Sequence, residues 1–135
     1  PRQYEEGTRT SEDAARQLGC DVSKIAKSIV FEGRDMAIVV ITSGSNRVDR
    51  KKKLKKILGY KPSQASPEYV LKSTGFAVGG VPPFGHLKET IKIIDEDLFK
   101  YDLIWGAGGT AETVFPITPE ELKRISKAEV RDIKQ

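Results

Sequence analysis

Ser28-Ile-Val-Phe31-Glu32-Gly33-Arg34-Asp35-Met36-Ala-Ile-Val-Val-Ile41-Thr42 is the stretch on which the fold turns. Two β-rich runs, Ser28–Phe31 and Met36–Thr42, flank Glu32-Gly33-Arg34-Asp35. Turn residues between two such runs predict a β-hairpin. Met36–Ile41 is also the longest uninterrupted apolar run, and its six residues fall far short of the roughly 20 that a membrane helix needs. No membrane partner is expected from this sequence.

Working outward, Thr10 reads as a helix N-cap with Asp13 in the capping-box position, followed by Ala14, Ala15 and Leu18 and stopped by Gly19. Val22, Ile25 and Ala26 suggest another helical turn. On the other side, Asp49 can cap a helix over Arg50–Leu58, closed by Gly59. Leu54, Ile57 and Leu58 fall on its inner side and leave the lysines outward. Ser66-Pro67 starts a helix that ends at Gly75, and Thr118-Pro119-Glu120-Glu121 starts another. Short strands are expected at Phe76–Val78, Thr90–Ile94, Leu103–Trp105, Val114–Ile117 and Glu129–Ile133, with a helical turn at Asp95–Phe99. Short strands mixed with short helices predict one α/β domain over residues 1–135, built on a mixed sheet. At 135 residues the chain has room for one core and not for two ordinary domains.

The charge is unevenly placed. The chain carries +4 in all, but Arg47–Lys61 holds eight basic residues against Asp49 alone, so the rest is mildly acidic. One concentrated basic element is the footprint of a polyanion binder, and Arg50, Lys51, Lys52, Lys55 and Lys56 are the expected contacts to a nucleic-acid backbone. A solvated lysine-rich face explains the same charge, and so does a docking site for an acidic protein; the charge alone leaves all three open. One cysteine, Cys20, and one histidine, His86, cannot build a Cys/His zinc site or an internal disulfide, and no metal or other cofactor is expected. That cysteine usage, and a polar opening Pro1–Thr10 without a signal peptide, suggest the cytoplasm.

Nucleophile elbows, Walker loops and zinc-protease motifs are absent. What stands out is Gly79-Gly80-Val81-Pro82-Pro83-Phe84-Gly85-His86. Consecutive glycines let a backbone approach a ligand with its N–H groups free, and two prolines stiffen the turn that follows. Phe84 offers a flat surface and His86 a hydrogen-bonding tip. Gly106-Ala-Gly108-Gly109-Thr110 is a second glycine-rich loop, and both loops are expected at one rim of the sheet. Lys27, between apolar stretches, either snorkels or is placed to meet an anion.

Thr10-Ser-Glu-Asp-Ala-Ala, Ala26-Lys27-Ser28, Arg47-Val-Asp49, Thr74 to His86, Ala107-Gly-Gly-Thr110 and Thr118-Pro-Glu-Glu-Leu122 occur in that order. Together they resemble the YbaK/ProX family, related to the editing insertion domain of bacterial prolyl-tRNA synthetase. The resemblance runs from Thr10 to the end, and the Gly-Gly-Val-Pro-Pro-Phe-Gly-His string is its most specific part. It implies a mixed sheet curling toward a barrel, flanked by short helices, with one more helix ahead of Pro1. It implies a free-standing deacylase that hydrolyses the ester of a mischarged tRNA at its 3′ end, most of all tRNA of the proline class. A synthetase is the second partner that the resemblance allows.

In that family the essential lysine maps onto Lys27, and the Gly-x-x-x-Pro motif onto Gly79 to Pro83. The resemblance therefore places Lys27, Gly79 and Gly80 in the catalytic set. Thr10, Ser28, Pro82, Pro83, Phe84, His86, Gly108, Gly109 and Thr110 would surround the substrate. The amino acid stays open: cysteine, alanine or another small residue, or a serine- or threonine-type error. A non-catalytic binder of tRNA ends or nucleotides remains the alternative class, beside the acidic-partner domain.

Overall fold

The computed structural model describes residues 2–3, 10–110 and 113–135. The hairpin is its centre. Strand β2 (Ile25–Glu32) runs antiparallel to β3 (Ala37–Ser43), with Lys27 opposite Thr42 and Phe31 opposite Ile38. Every residue of β3 is buried, as expected of a central strand covered on both faces. Strand β5 (Ile91–Asp95) adds parallel to β3, and β8 (Glu129–Arg131) parallel to β5. On the far side of β2, β6 (Ile104–Ala107) pairs in parallel, then β7 (Thr113–Ile117) and β1 (Arg2–Gln3) follow antiparallel. The order β1-β7-β6-β2-β3-β5-β8 is a mixed sheet whose path stays open, with β1 and β8 as its two ends. An eighth strand, β4 (Ser63–Gln64), pairs with the other end of β2.

Alternation along the hairpin splits the core. Ala26, Ile41 and Ile94 face a cluster with Leu98, Ile104, Ile117 and Leu122. Phe31, Ile38, Val40 and Ile93 face a second cluster with Leu54 and Ile133. Ile25 joins Ala14, Ala15 and Val114 beneath helix α1 (Ser11–Leu18). Among the described residues no helix is long and apolar enough to cross a membrane.

The expected caps form. Thr10 Oγ1 accepts from Asp13 N–H at 3.1 Å, and Gly19 closes α1 at φ 69°. Ser66 caps α3 (Pro67–Thr74) and Thr118 caps α4 (Pro119–Ser126). Four expectations need correction. The turn at Val22–Lys24 is a 3-10 turn, and Ile25–Ala26 already belong to β2, so Lys27 lies within that strand. Phe76–Val78 is not a strand: Thr74 Oγ1 accepts from Phe76 N–H and pulls the chain into a turn after α3. The basic helix is two pieces, a wide π-type turn at Arg50–Leu54 and a short helix α2 (Lys55–Leu58). The first glycine loop therefore follows a helix, whereas the second does follow a strand.

Candidate functional site

Strand β2 has β3 along one edge, but its other edge is shared. The β6 register ends at Ala26 and the β4 register begins at Phe31. Along that second edge no strand among the described residues lies beside Lys27–Val30, and the sheet has a gap there. The turn after α3 comes to this gap. Val78, Gly79 and Val81 line the same space as Lys27, Ser28 and Ile29.

The space is one cleft with two arms that share those six residues. The wider arm, about 890 Å³, runs toward the π-type turn and is walled by Arg47, Val48, Asp49, Arg50, Lys51 and Lys52. The narrower arm, about 350 Å³, runs under α1 and is walled by Thr10, Ala14, Ile25, Trp105, Ala107, Thr110 and Thr113. The strand pleat explains the division. Ile25, Lys27 and Ile29 share one face of β2, and Lys27 stands between the cluster under α1 and the cluster under the π-type turn. No hydrogen bond or ion pair ties the Lys27 ammonium to another described residue. An unpaired, half-buried lysine between two pocket arms is a cation available to a ligand.

The basic wall is held firmly. Asp49 caps the π-type turn by accepting from Lys52 N–H at 3.0 Å, and its own N–H donates to the Ile133 carbonyl at 2.6 Å. Arg50 Nη1 donates to the Pro62 carbonyl, and Lys53 pairs with Asp132 at 2.8 Å. Burial of Leu54 fixes the turn to the sheet. Lys51, Lys52, Lys55 and Lys56 stay exposed. Lys51 and Lys52 reach the cleft, while Lys55 and Lys56 continue the basic surface beyond its lining.

Not every residue named from the sequence lines this space. Lys27, Ser28, Gly79, Thr10 and Thr110 do. Gly79 is exposed and held at φ 89°, a conformation that favours glycine. Gly80 is buried, and its N–H already donates to the Ala77 carbonyl at 3.0 Å. Pro82 and Pro83 are buried and support the loop from behind. Phe84 packs edge-on against Phe115, 6.1 Å between centroids, over the main core cluster. His86 is engaged at both nitrogens, with the Pro82 carbonyl at 2.7 Å from Nε2 and the Thr90 hydroxyl at 3.0 Å from Nδ1. A carbonyl only accepts, so Nε2 carries the proton and the Thr90 hydroxyl donates to Nδ1. Burial holds the imidazole pKa below its ordinary value, against the opposing pull of the Pro82 bond. His86 thus ties the loop end to Thr90, just ahead of β5, and is not among the residues lining the cleft.

Gly108 and Gly109 shape the second loop. Gly108 N–H donates to the Thr113 carbonyl at 2.8 Å. Gly109, at φ 104°, lies against Phe76, where an added Cβ would come 3.3 Å from the ring. Phe76, just ahead of the first glycine loop, thus lies beside Gly109 of the second. Thr110 Oγ1 and Thr113 Oγ1, 2.6 Å apart, give the narrow arm a hydroxyl pair. Sequence reasoning missed Arg47, Gln64 and Trp105 as cleft residues. The Arg47-Val-Asp49 motif pointed to the first; nothing local marked the others. Among the described residues no three His, Cys, Asp or Glu cluster closely enough to hold a metal.

The sequence model of the aminoacyl-tRNA editing domain matches residues 5–125. The chain belongs to the aminoacyl-tRNA editing domain family. Editing-family relatives agree in fold and sequence. A crystal structure described as a candidate trans-editing enzyme for prolyl tRNA synthetase is 42% identical and superposes with a TM-score of 0.94, covering 99% of this chain and 85% of that one. The uncharacterized protein YwhH of Bacillus subtilis is 33% identical across 95% of this chain and 82% of its own length. Proline–tRNA ligase of Thermosipho melanesiensis is 36% identical over 102 residues, 75% of this chain but only 18% of the ligase. The editing domain thus spans a small part of that ligase.

Proposed function

We propose that this editing domain acts in trans as a deacylase, hydrolysing the ester that joins a wrong amino acid to the 3′ end of a tRNA, with tRNA of the proline class as its substrate. One observation carries the reading: an unpaired lysine stands where a small, mostly uncharged arm meets a large basic one. An aminoacyl-tRNA end has the matching shape, a small side chain on one side of an ester and phosphates on the other. The proline-ligase relatives and the trans-editing neighbour support the tRNA class.

An aminoacyl ester is already activated, so positioning and charge stabilisation suffice for a useful rate. Water adds to the ester carbonyl, the C=O electrons move onto oxygen, and collapse expels the ribose oxygen, which takes up a proton. Gly79, an exposed residue lining the cleft with Lys27, is assigned to donate its N–H to the developing oxyanion. Lys27 neutralises charge at the same centre or on the adjoining phosphate. Gly80, Pro82, Pro83, Phe84 and His86 act one step back, by holding the Gly79 turn. Of the carboxylates that line the cleft, Asp49 is engaged in its cap and Glu12 lies exposed on α1, so a hydroxyl of the terminal ribose is assigned to guide the water. Thr10, Ser28 and Thr110 bound the amino-acid arm, and Gly108 and Gly109 shape the loop that carries Thr110. Arg50, Lys51, Lys52, Lys55 and Lys56 meet phosphates without reading sequence.

The test is a deacylation assay of the protein against tRNA-Pro charged with alanine, cysteine, serine, threonine or proline. Release of one or more small non-cognate residues, with the correctly charged proline form spared, is the expected result. Binding without turnover of any charged tRNA would identify a non-catalytic binder instead.

A further inference from the structure

Among the described residues, the gap in the sheet leaves the main chain of Ser28 without a strand partner, while Val30, which faces the same edge, adjoins the β4 register. Ile25 C=O accepts from Gly44 N–H at 2.7 Å, which fixes the phase of the β2–β3 ladder. In an antiparallel pair, alternate residues turn both N–H and C=O toward the partner. Residues 25, 27, 29 and 31 therefore face β3, and residues 26, 28 and 30 face the opposite edge. Ala26 meets β6 there, and the register with β4 begins only at Phe31. Ser28 falls between, with its N–H and C=O directed into the gap. Its hydroxyl repeats the pattern: Ser28 Oγ is buried and has no hydrogen-bond partner among the described residues. Buried polar groups are rarely left unpaired, and an unpaired set beside a cleft marks a place where a ligand completes the bonding.

We infer that the Ser28 edge of β2 is the recognition site for the α-amino-acyl group itself, paired as one residue of an added strand. An α-aminoacyl ester presents an N–H donor and a C=O acceptor on neighbouring atoms, in the arrangement that a strand residue offers its neighbour. Its α-ammonium donates to the Ser28 carbonyl, and its ester carbonyl accepts from the Ser28 N–H. That carbonyl has a second lone pair, which the Gly79 N–H reaches from the facing turn. Two main-chain donors then converge on one oxygen, and both strengthen as it becomes an oxyanion. The side chain of the amino acid projects into the Thr10–Trp105–Thr110 arm. Recognition of this kind reads the free amine and leaves the side chain to the arm. The inference rests on the deacylase reading for its substrate, but it concerns binding and is tested apart from turnover.

The probe is 3′-alanylamino-3′-deoxyadenosine, in which an amide replaces the labile ester, compared with its propionylamino analogue that lacks the amine. Both are titrated into the isotope-labelled protein, with the Ser28 amide followed by hydrogen exchange. We expect the alanyl compound to slow exchange at Ser28 and the propionyl compound to bind about tenfold more weakly, since a charge-assisted hydrogen bond is lost. Equal affinity of the two compounds, unchanged exchange at Ser28 under saturating alanyl compound, or no binding of that compound would overturn the inference. Failure of the deacylase reading looks different: the alanyl compound binds and protects Ser28, yet no charged tRNA is hydrolysed.

Discussion

Lys27 and Thr42 face each other across the hairpin, and the polar groups around them are treated in opposite ways. On the Thr42 side every group has partners. Asp95, 1% exposed, accepts from Thr42 Oγ1, Ser43 N–H and Asn46 Nδ2 through Oδ2, and from Asp97 N–H through Oδ1. Asn46 bridges to Asp97, which also pairs with Lys134 at 2.8 Å and Lys100 at 3.3 Å. On the Lys27 side, the ammonium, the Ser28 edge and the Ser28 hydroxyl lack partners among the described residues. Full pairing fixes one backbone arrangement, here the loop that leads to Arg47 and the basic wall. Absent pairing is a standing cost that a fold tolerates where a ligand offsets it. The first region is scaffold, and the second is the site we propose.

Substitutions separate the two. Asp95→Ala strands two backbone N–H groups and the Thr42 hydroxyl, and should lower unfolding stability by about 3 kcal/mol. Chemical denaturation measures this, and a loss under 1 kcal/mol would show that the network is not the anchor of the Asn46 loop. Neutralising Lys51, Lys52, Lys55 and Lys56 together should weaken tRNA binding about tenfold or more and cut the log–log salt slope by roughly one unit per lost contact. An unchanged slope in a filter-binding series would assign these lysines to solvent alone.

Smaller effects follow from Asp97, whose carboxyl is held down at about 2 chiefly by the Lys134 and Asn46 hydrogen bonds. A depressed carboxylate contributes stability that is present above its unfolded value near 3.8 and is lost as pH falls toward 2. The melting temperature should therefore drop more between pH 4 and 2 in the wild type than in Asp97→Asn. Equal drops would remove Asp97 from the account. Least of all, Asp49→Ala should cost about 1 kcal/mol through the lost cap, with tRNA affinity affected less than in the four-lysine variant.

Much of this scaffold is legible in the sequence because its signals are local. The hairpin, the Thr10, Ser66 and Thr118 caps and the Gly19, Gly59 and Gly75 stops each depend on a few neighbouring residues. The two-residue strands Arg2–Gln3 and Ser63–Gln64 were invisible, since only tertiary pairing makes them strands. Phe76–Val78 looked like a strand by composition and was drawn into a turn by the Thr74 hydroxyl. The Lys27 and Gly79 positions were legible through family resemblance. The gap beside Ser28 was not, because it is set by where β6 stops and β4 starts.

The most direct test is a single variant, Lys27→Met, measured for thermal unfolding and for deacylation of mischarged tRNA-Pro under saturating substrate. Methionine keeps the length and apolar stem of lysine and removes only the unpaired charge. The account predicts a melting temperature equal to or above that of the wild type, with turnover reduced about a hundredfold, the scale expected when one charge-stabilising group is lost. A lower melting temperature with turnover intact would contradict it and make Lys27 a snorkelling part of the scaffold.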